Sequence, residues 1–351
     1  MSKNISDLKS EWLFIVPISG LKLTDSVHNE LKVGNTIFVS KNKLARIRKR
    51  LGIQVPISKL NNIGIDAPKT YVTEFFKSSQ TYAVLHFNGI PKEKYFENIR
   101  LIEDSINLIS FSNLGYSTRR FDSRIHIKNS EYSFINRTLS IDKRKLRFSI
   151  SSKSLHPIQL ELNQRWKEFH KDFHYPILLN IINGKLKINS KWRNLLISVA
   201  KMIGKSLNSH DIPECFLKNI IALEMLLVNQ SEKIEEKIIE RSGYLLDWHE
   251  KWKADEMESQ ISKMYKKRCN YVHDGKYNEI TKGDLIFTDD LLFNIFNNLI
   301  KNINIISSKG KLVEFSDKYK CEKYLGINSK YQFGKFQYLN KVYKKSDWES
   351  I

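Results

Sequence analysis

Two rhythms of apolar and polar positions divide the chain. Up to about residue 187 the apolar residues come in short β-branched or aromatic runs. Residues 12–16, 36–39 and 81–87 read as strands, and 71–75 and 124–127 as weaker ones. Residues 91–109 open at Pro91 and carry Phe96, Ile99, Leu101, Ile102 and Ile106 at helical spacing, so they predict a helix. Beyond Asn183-Gly184 and the polar stretch 185–190 the strand rhythm stops. From Trp192 to Ile306 the spacing is helical, with helices expected near 190–207, 213–230, 232–247, 250–273 and 286–307. Short breaks between them suit an antiparallel bundle. After Gly310 aromatic and basic residues alternate, which predicts strand or extended chain.

The expected plan is an α+β domain over 1–187, an all-α bundle over 188–308 and a basic aromatic extension over 309–351. At 351 residues the chain is long enough for two ordinary cores, and its 41% hydrophobic content is that of a globular protein. No apolar run approaches the roughly 20 residues that cross a bilayer. Cys215, Cys269 and Cys321 lie far apart without metal-ligand spacing and read as reduced thiols, so a cytoplasmic location is expected, without a membrane partner.

Charge sharpens the division. The net charge is +20. Residues 1–187 hold 31 Lys and Arg against 16 Asp and Glu, residues 188–308 hold 17 of each, and residues 309–351 hold 10 against 5. Basic flanks around a neutral centre fit a polyanion gripped from outside, although excess lysine also serves solubility.

The chemistry concentrates in Tyr265-Lys-Lys-Arg268-Cys269-Asn270-Tyr271-Val272-His273-Asp274-Gly275. Met257, Ile261, Met264 and Val272 form one helical stripe, interrupted by Arg268. Leu217, Ile221 and Val228 form another, interrupted by Glu224; Ile234, Ile238 and Leu245 a third, interrupted by Arg241. One such charge can snorkel from the edge of its stripe. Three of matching sign predict a shared polar cluster, with Glu224 paired to Arg241, Arg268 or both. His273 falls at a helix end closed by Gly275, where the macrodipole favours a cationic imidazole able to take and give protons. Asn270, one turn earlier, is placed to orient the imidazole or a phosphate oxygen. On an ideal helix His273 points well away from Arg268, so a substrate shared between two chains accounts for the pair best.

With these residues the chain resembles the HEPN superfamily, whose hallmark is Arg, four residues, then His at a helix end; Arg268 and His273 have that spacing. The context resembles the Apea-like branch: Ala222-Leu-Glu224-Met-Leu-Leu227, then Glu240-Arg241-Ser242 before Tyr244-Leu-Leu246, then Tyr265 ahead of the motif and Gly275 after it. The likeness covers roughly 190–305. It implies a helical bundle that dimerises so that two motifs face one cleft. It also implies RNA cleavage without metal or cofactor, deployed in anti-phage defence or abortive infection, with a phage or antitoxin protein as trigger. Arg268 would then stabilise the phosphate, His273 would transfer protons, and Glu224, Arg241 and Tyr265 would support them. Cys269 departs from the pattern, because many active members carry a polar Asn, Asp or His directly after the arginine. A silent nucleic-acid-binding or scaffold protein is therefore the alternative.

Three further features bear on partners. Lys41, Lys43, Arg46, Arg48, Lys49 and Arg50 crowd around Leu44 and Ile47, as a phosphate-tracking face or simply a solvated basic helix. Tyr319, Tyr324, Tyr331, Phe333, Phe336, Tyr338 and Tyr343 alternate with lysines, a pattern that strand packing explains as well as base stacking. His170 and His174 have the i, i+4 spacing of a metal pair, but no flanking Glu completes a site and Pro176 is expected to end their helix. No metal site is expected.

Overall fold

The structure, a computed structural model, describes residues 11–24, 30–47, 49–52, 80–116, 124–127, 135–142, 147–154, 160–246 and 254–325. The strand candidate 71–75, Arg48 and the aromatics beyond 325 lie outside them.

The first half is built on a five-stranded antiparallel sheet in the order β3-β4-β5-β1-β6. Its strands are β1 (Glu11–Ser19), β3 (Glu30–Val33), β4 (Thr36–Ser40), β5 (Thr81–Asn88) and β6 (His126–Ile127). β5 and β1 run side by side from Glu11 opposite Asn88 to Ile18 opposite Thr81. Period-2 alternation gives this sheet two apolar faces. Tyr82, Val84 and Val39 face helix α1 (Lys41–Ile47), which covers them with Leu44 and Ile47. Ala83, Leu85 and Phe38 face the main core, where α2 (Tyr95–Ser110) contributes Ile102, Ile106 and Ile109. The helix expected from Pro91 starts at Tyr95, because residues 91–94 form turns.

Two further strand pairs complete the first half, one between segments far apart in sequence and one between neighbouring strands. β2 (Leu21–Leu23) runs parallel to β9 (Leu160–Leu162), and β7 (Ile135–Asp142) pairs with β8 (Arg147–Ser154). Helices α3 (Gln164–Lys171) and α4 (Tyr175–Ile182) follow. Pro176 does not end the first; it sits in the opening turn of the second, where its missing N–H is harmless. His170 and His174 pack among Phe111, Trp166, Tyr175 and Phe296, and burial pushes both imidazoles down to about 3, so they remain neutral. Asn183, just after α4, clasps the β3–β4 hairpin: it accepts from the Gly34 N–H at 2.9 Å and donates to the Lys32 carbonyl at 2.9 Å.

The second half is helical: α5 (Ser190–Leu207), α6 (Ile212–Leu227), α7 (Ile234–Leu246), α8 (Ala254–Asp274), α9 (Lys282–Lys301) and α10 (Lys309–Tyr324). Side-chain caps fix several starts, Asn189 for α5, Asp211 for α6 and a reciprocal Thr281/Asp284 box for α9. α9 starts earlier and ends earlier than its sequence pattern predicts. Every residue from Thr288 to Ile300 is buried, so α9 runs through the centre of the bundle. Its polar residues find partners inside: Asn219 donates to Asp289 at 2.7 Å, and Asn298 donates to the Leu245 carbonyl at 2.9 Å. Beside them burial and the Asp289 charge push the Asp290 carboxyl up to about 7.

The expectation of an extended chain after Gly310 is overturned for residues 311–324, which belong to α10; the stretch beyond 325 lies outside the described residues. Leu312, Phe315, Ser316 and Tyr319 recur at spacings of three and four, which puts them on one helical face, and Phe315 and Leu312 are buried. Lys320 pairs with Glu240 at 3.1 Å, and Lys309 donates to the Met225 and Val228 carbonyls at 2.7 and 2.5 Å, capping the end of α6. No helix among the described residues is long and apolar enough to cross a membrane.

A single apolar core joins the sheet to the bundle, with α2 packed on α5. At their crossing a Cβ on Gly204 would lie 1.9 Å from the Asn107 carbonyl oxygen. Gly204→Ala should therefore force the helices apart and destabilise the fold by about 3 kcal/mol, read as a lower urea midpoint. Gly283→Ala, whose nearest neighbour is the Thr281 hydroxyl at 3.5 Å, should leave the midpoint level or raised.

Candidate functional site around Arg268

α8 buries Met257, Ile261 and Met264, and Arg268 takes the next position on that stripe. Its guanidinium faces Glu224 on α6 and lies 5.6 Å from the centre of the Tyr265 ring. The ion pair is loosely made. Arg268 Nε is 3.2 Å from Glu224 Oε1 but off line, and the contact that counts as a hydrogen bond, Nη2 to Oε2, is 3.5 Å long. Nε and Oε1 are both buried without an aligned partner. Burial raises the Glu224 carboxyl above its ordinary value, against the pull of Arg268.

Arg241 has a different setting. It is 2% exposed and forks onto Glu232, Nη1 to Oε2 at 2.6 Å and Nη2 to Oε1 at 2.6 Å, while Nη1 also donates to the Leu227 carbonyl. Hydrogen bonding from Arg241 holds the Glu232 carboxyl down at about 2. The expected three-residue cluster is thus two separate pairs. Arg241 lies on the buried stripe of α7, as Ile238 and Leu245 do, but Leu217, Ile221 and Val228 form a half-buried flank of α6 rather than its core face. Glu224 on that flank reaches Arg268 and not Arg241. Glu232 lies in the turn before Ile234 rather than in the helix expected from 232, and it reaches Arg241 across nine residues, a spacing that no helical stripe suggests.

The remaining motif residues lie at the open end of α8. Gly275 adopts a positive φ of 67° and donates to the Tyr271 carbonyl at 3.1 Å, while Lys276 donates to the Asn270 carbonyl at 3.2 Å. α8 is regular up to Asp274, so five residues turn His273 about 140° away from Arg268. His273 is exposed, and among the described residues it has no hydrogen-bond or ion-pair partner. Val272 and Tyr277 beside it are also exposed, at 47% and 56%. Asn270 is engaged elsewhere, donating to Glu279 at 3.0 Å. Cys269 is half-buried between the two halves of the motif. Within one chain the guanidinium and the imidazole do not converge.

The basic segment opens as a short helix whose Leu44 and Ile47 are buried, Arg46 exposed and Lys43 half-buried; Lys49 and Arg50 are exposed in the turn that follows it. Arg50 is held by Glu30 at 2.5 Å. No protein-family model, curated protein or solved structure matches the chain.

The Arg241 fork generates a pH test. Because the folded Glu232 carboxyl titrates near 2 and the unfolded one near its ordinary 4.5, its stabilisation is complete above about pH 4.5 and fades as pH falls towards 2. Glu232→Gln leaves a buried cation without its counterion and should cost about 3 kcal/mol at neutral pH. Its urea midpoint should also vary less than wild type between pH 4.5 and 2.

Proposed function

We propose that the chain is a metal-independent endoribonuclease of HEPN type, acting as a homodimer through its helical half and serving anti-phage defence or abortive infection. The observation that carries this reading is the contrast between the two arginines. Arg241 has its hydrogen bonds satisfied by a tight fork, whereas Arg268 is held only loosely by Glu224, with Nε unaligned. A loosely paired guanidinium exchanges its carboxylate for another anion more readily than a fully satisfied one does. A guanidinium recognises phosphate oxygens, and the free imidazole five residues on supplies acid–base chemistry.

In the reaction His273 of one or the other copy takes the proton from a ribose 2′-hydroxyl. The 2′-oxygen bonds to phosphorus, the bond to the 5′-oxygen breaks, and that oxygen leaves with a proton. The products are a 2′,3′-cyclic phosphate and a 5′-hydroxyl end. Arg268 stabilises the charge gathering on the non-bridging oxygens. The exposed basic residues on α1 and in the turn after it suit the flanking strand, with Arg46 and Lys49 at its phosphates.

A second reading is supported by the same site. Glu224 already offsets the charge of Arg268, Asn270 is bound to Glu279, and Cys269 departs from the family pattern. A silent scaffold that holds nucleic acid through its basic half would look the same.

Cleavage assays in EDTA separate the two. Wild type should cut RNA and spare DNA, and His273→Ala should lower the rate by about 10²–10⁴-fold. Its thermal midpoint should not move, since the side chain is exposed. Arg268→Ala should lower the rate similarly. RNA binding that is unchanged by His273→Ala and yields no cleavage products would establish the scaffold instead.

A further inference from the structure

Where the sheet half meets the bundle, two adjoining hollows open to the surface. The larger, about 390 Å³, is bordered by Arg124, Lys205 at the end of α5, His210 in the α5–α6 turn and Lys218 on α6. The smaller, about 200 Å³, runs past Ile106 of α2 and past Ile125, His126 and Ile127 around β6. Asn107, Arg124 and Asn208 border both, so the two form one groove with a cationic end and an apolar end.

The carboxylates at the cationic end are already occupied. Asp211 caps α6 by accepting from the Glu214 N–H at 2.9 Å. Glu214 pairs with Lys218 at 2.7 Å and accepts from the Ser209 hydroxyl at 2.6 Å. Lys218 and Ser209 hold the Glu214 carboxyl below its ordinary value, and the Arg124 charge adds to that. Lys205 and His210 are exposed and make no hydrogen bond or ion pair with a described residue.

The walls are set by close backbone contacts. Gly20 has a φ of 76°, and a Cβ there would lie 1.7 Å from the Arg124 carbonyl oxygen. Gly204 brings α5 against Asn107 in the same way. Asn208 bridges the seam, accepting from the Ile125 N–H and donating to Asn107, both at 3.4 Å. A groove built this way needs little ordering when a ligand enters.

We propose that this groove binds a nucleoside phosphate. The phosphate lies against Lys205, His210 and Arg124, and the base against Ile127, backed by the largely buried Ile106 and Ile125. Glu103, exposed at the apolar end, is an acceptor suited to a ribose hydroxyl. The larger hollow alone falls within the volumes usual for small-molecule sites, and sites of this kind favour the seams between structural units. Binding here does not rest on the ribonuclease reading, and the His273→Ala chain should bind as wild type does.

Titration calorimetry on the full chain tests the proposal with AMP, GMP, CMP and UMP, with the four nucleosides and with inorganic phosphate. At least one nucleotide should bind more tightly than its nucleoside and more tightly than phosphate. Lys205→Glu should weaken it by about tenfold or more, as expected for losing a charge-assisted contact. Because Lys205 is exposed, its unliganded thermal midpoint should match wild type. Heat from none of the four nucleotides would overturn the proposal, as would affinities unaltered in both Lys205→Glu and His210→Ala. Phosphate binding as tightly as the best nucleotide would overturn the base-binding end.

Discussion

The contact between Asn107 and Gly204 governs how the two halves of this protein meet. α2 belongs to the sheet through Ile102, Ile106 and Ile109, and Ser105 adds hydrogen bonds to the Val33 carbonyl and the Thr36 hydroxyl. α5 belongs to the bundle, with Leu196, Val199 and Ile203 in the same core. Packing backbone on backbone at Gly204 brings those faces close enough to leave one core rather than two with a seam. Lys201 and Asp104, 2.7 Å apart, guard the edge of that packing. A residue with any side chain at 204 would open the join and with it the groove beside Asn107.

The buried Arg241 and the half-buried Arg268 show how burial separates structural charge from available charge. Arg241 is removed from water almost completely, and nearly everything it could donate to is supplied, by a carboxylate fork and a carbonyl. It therefore behaves as a fastening for the α6–α7 turn, with Lys309 sealing the same turn from α10. Arg268 faces a carboxylate that burial has made reluctant to ionise. Their pair stays loose, at 3.2 and 3.5 Å, where the fork on Arg241 is tight at 2.6 Å.

Much of the helical half was legible because its signals are local. Asn189 before an apolar-periodic run specifies α5 from 190 to 207, and Asp211 with Pro213 specifies the start of α6. Gly275 marks the end of α8 for the same reason, since a positive φ at a helix terminus is a backbone requirement written in one residue. α10 was misread because its aromatics alternate with lysines, which hides the Leu312, Phe315 and Tyr319 face. Non-local features left no such trace. The β2–β9 pair joins Leu21 to Leu160, and Glu232 reaches Arg241 from a turn. The groove exists only once Gly20, Asn107, Arg124 and Asn208 have been brought together. The family likeness rests on the motif and its flanking residues in the sequence, and the structure adds that Arg268 and His273 point apart.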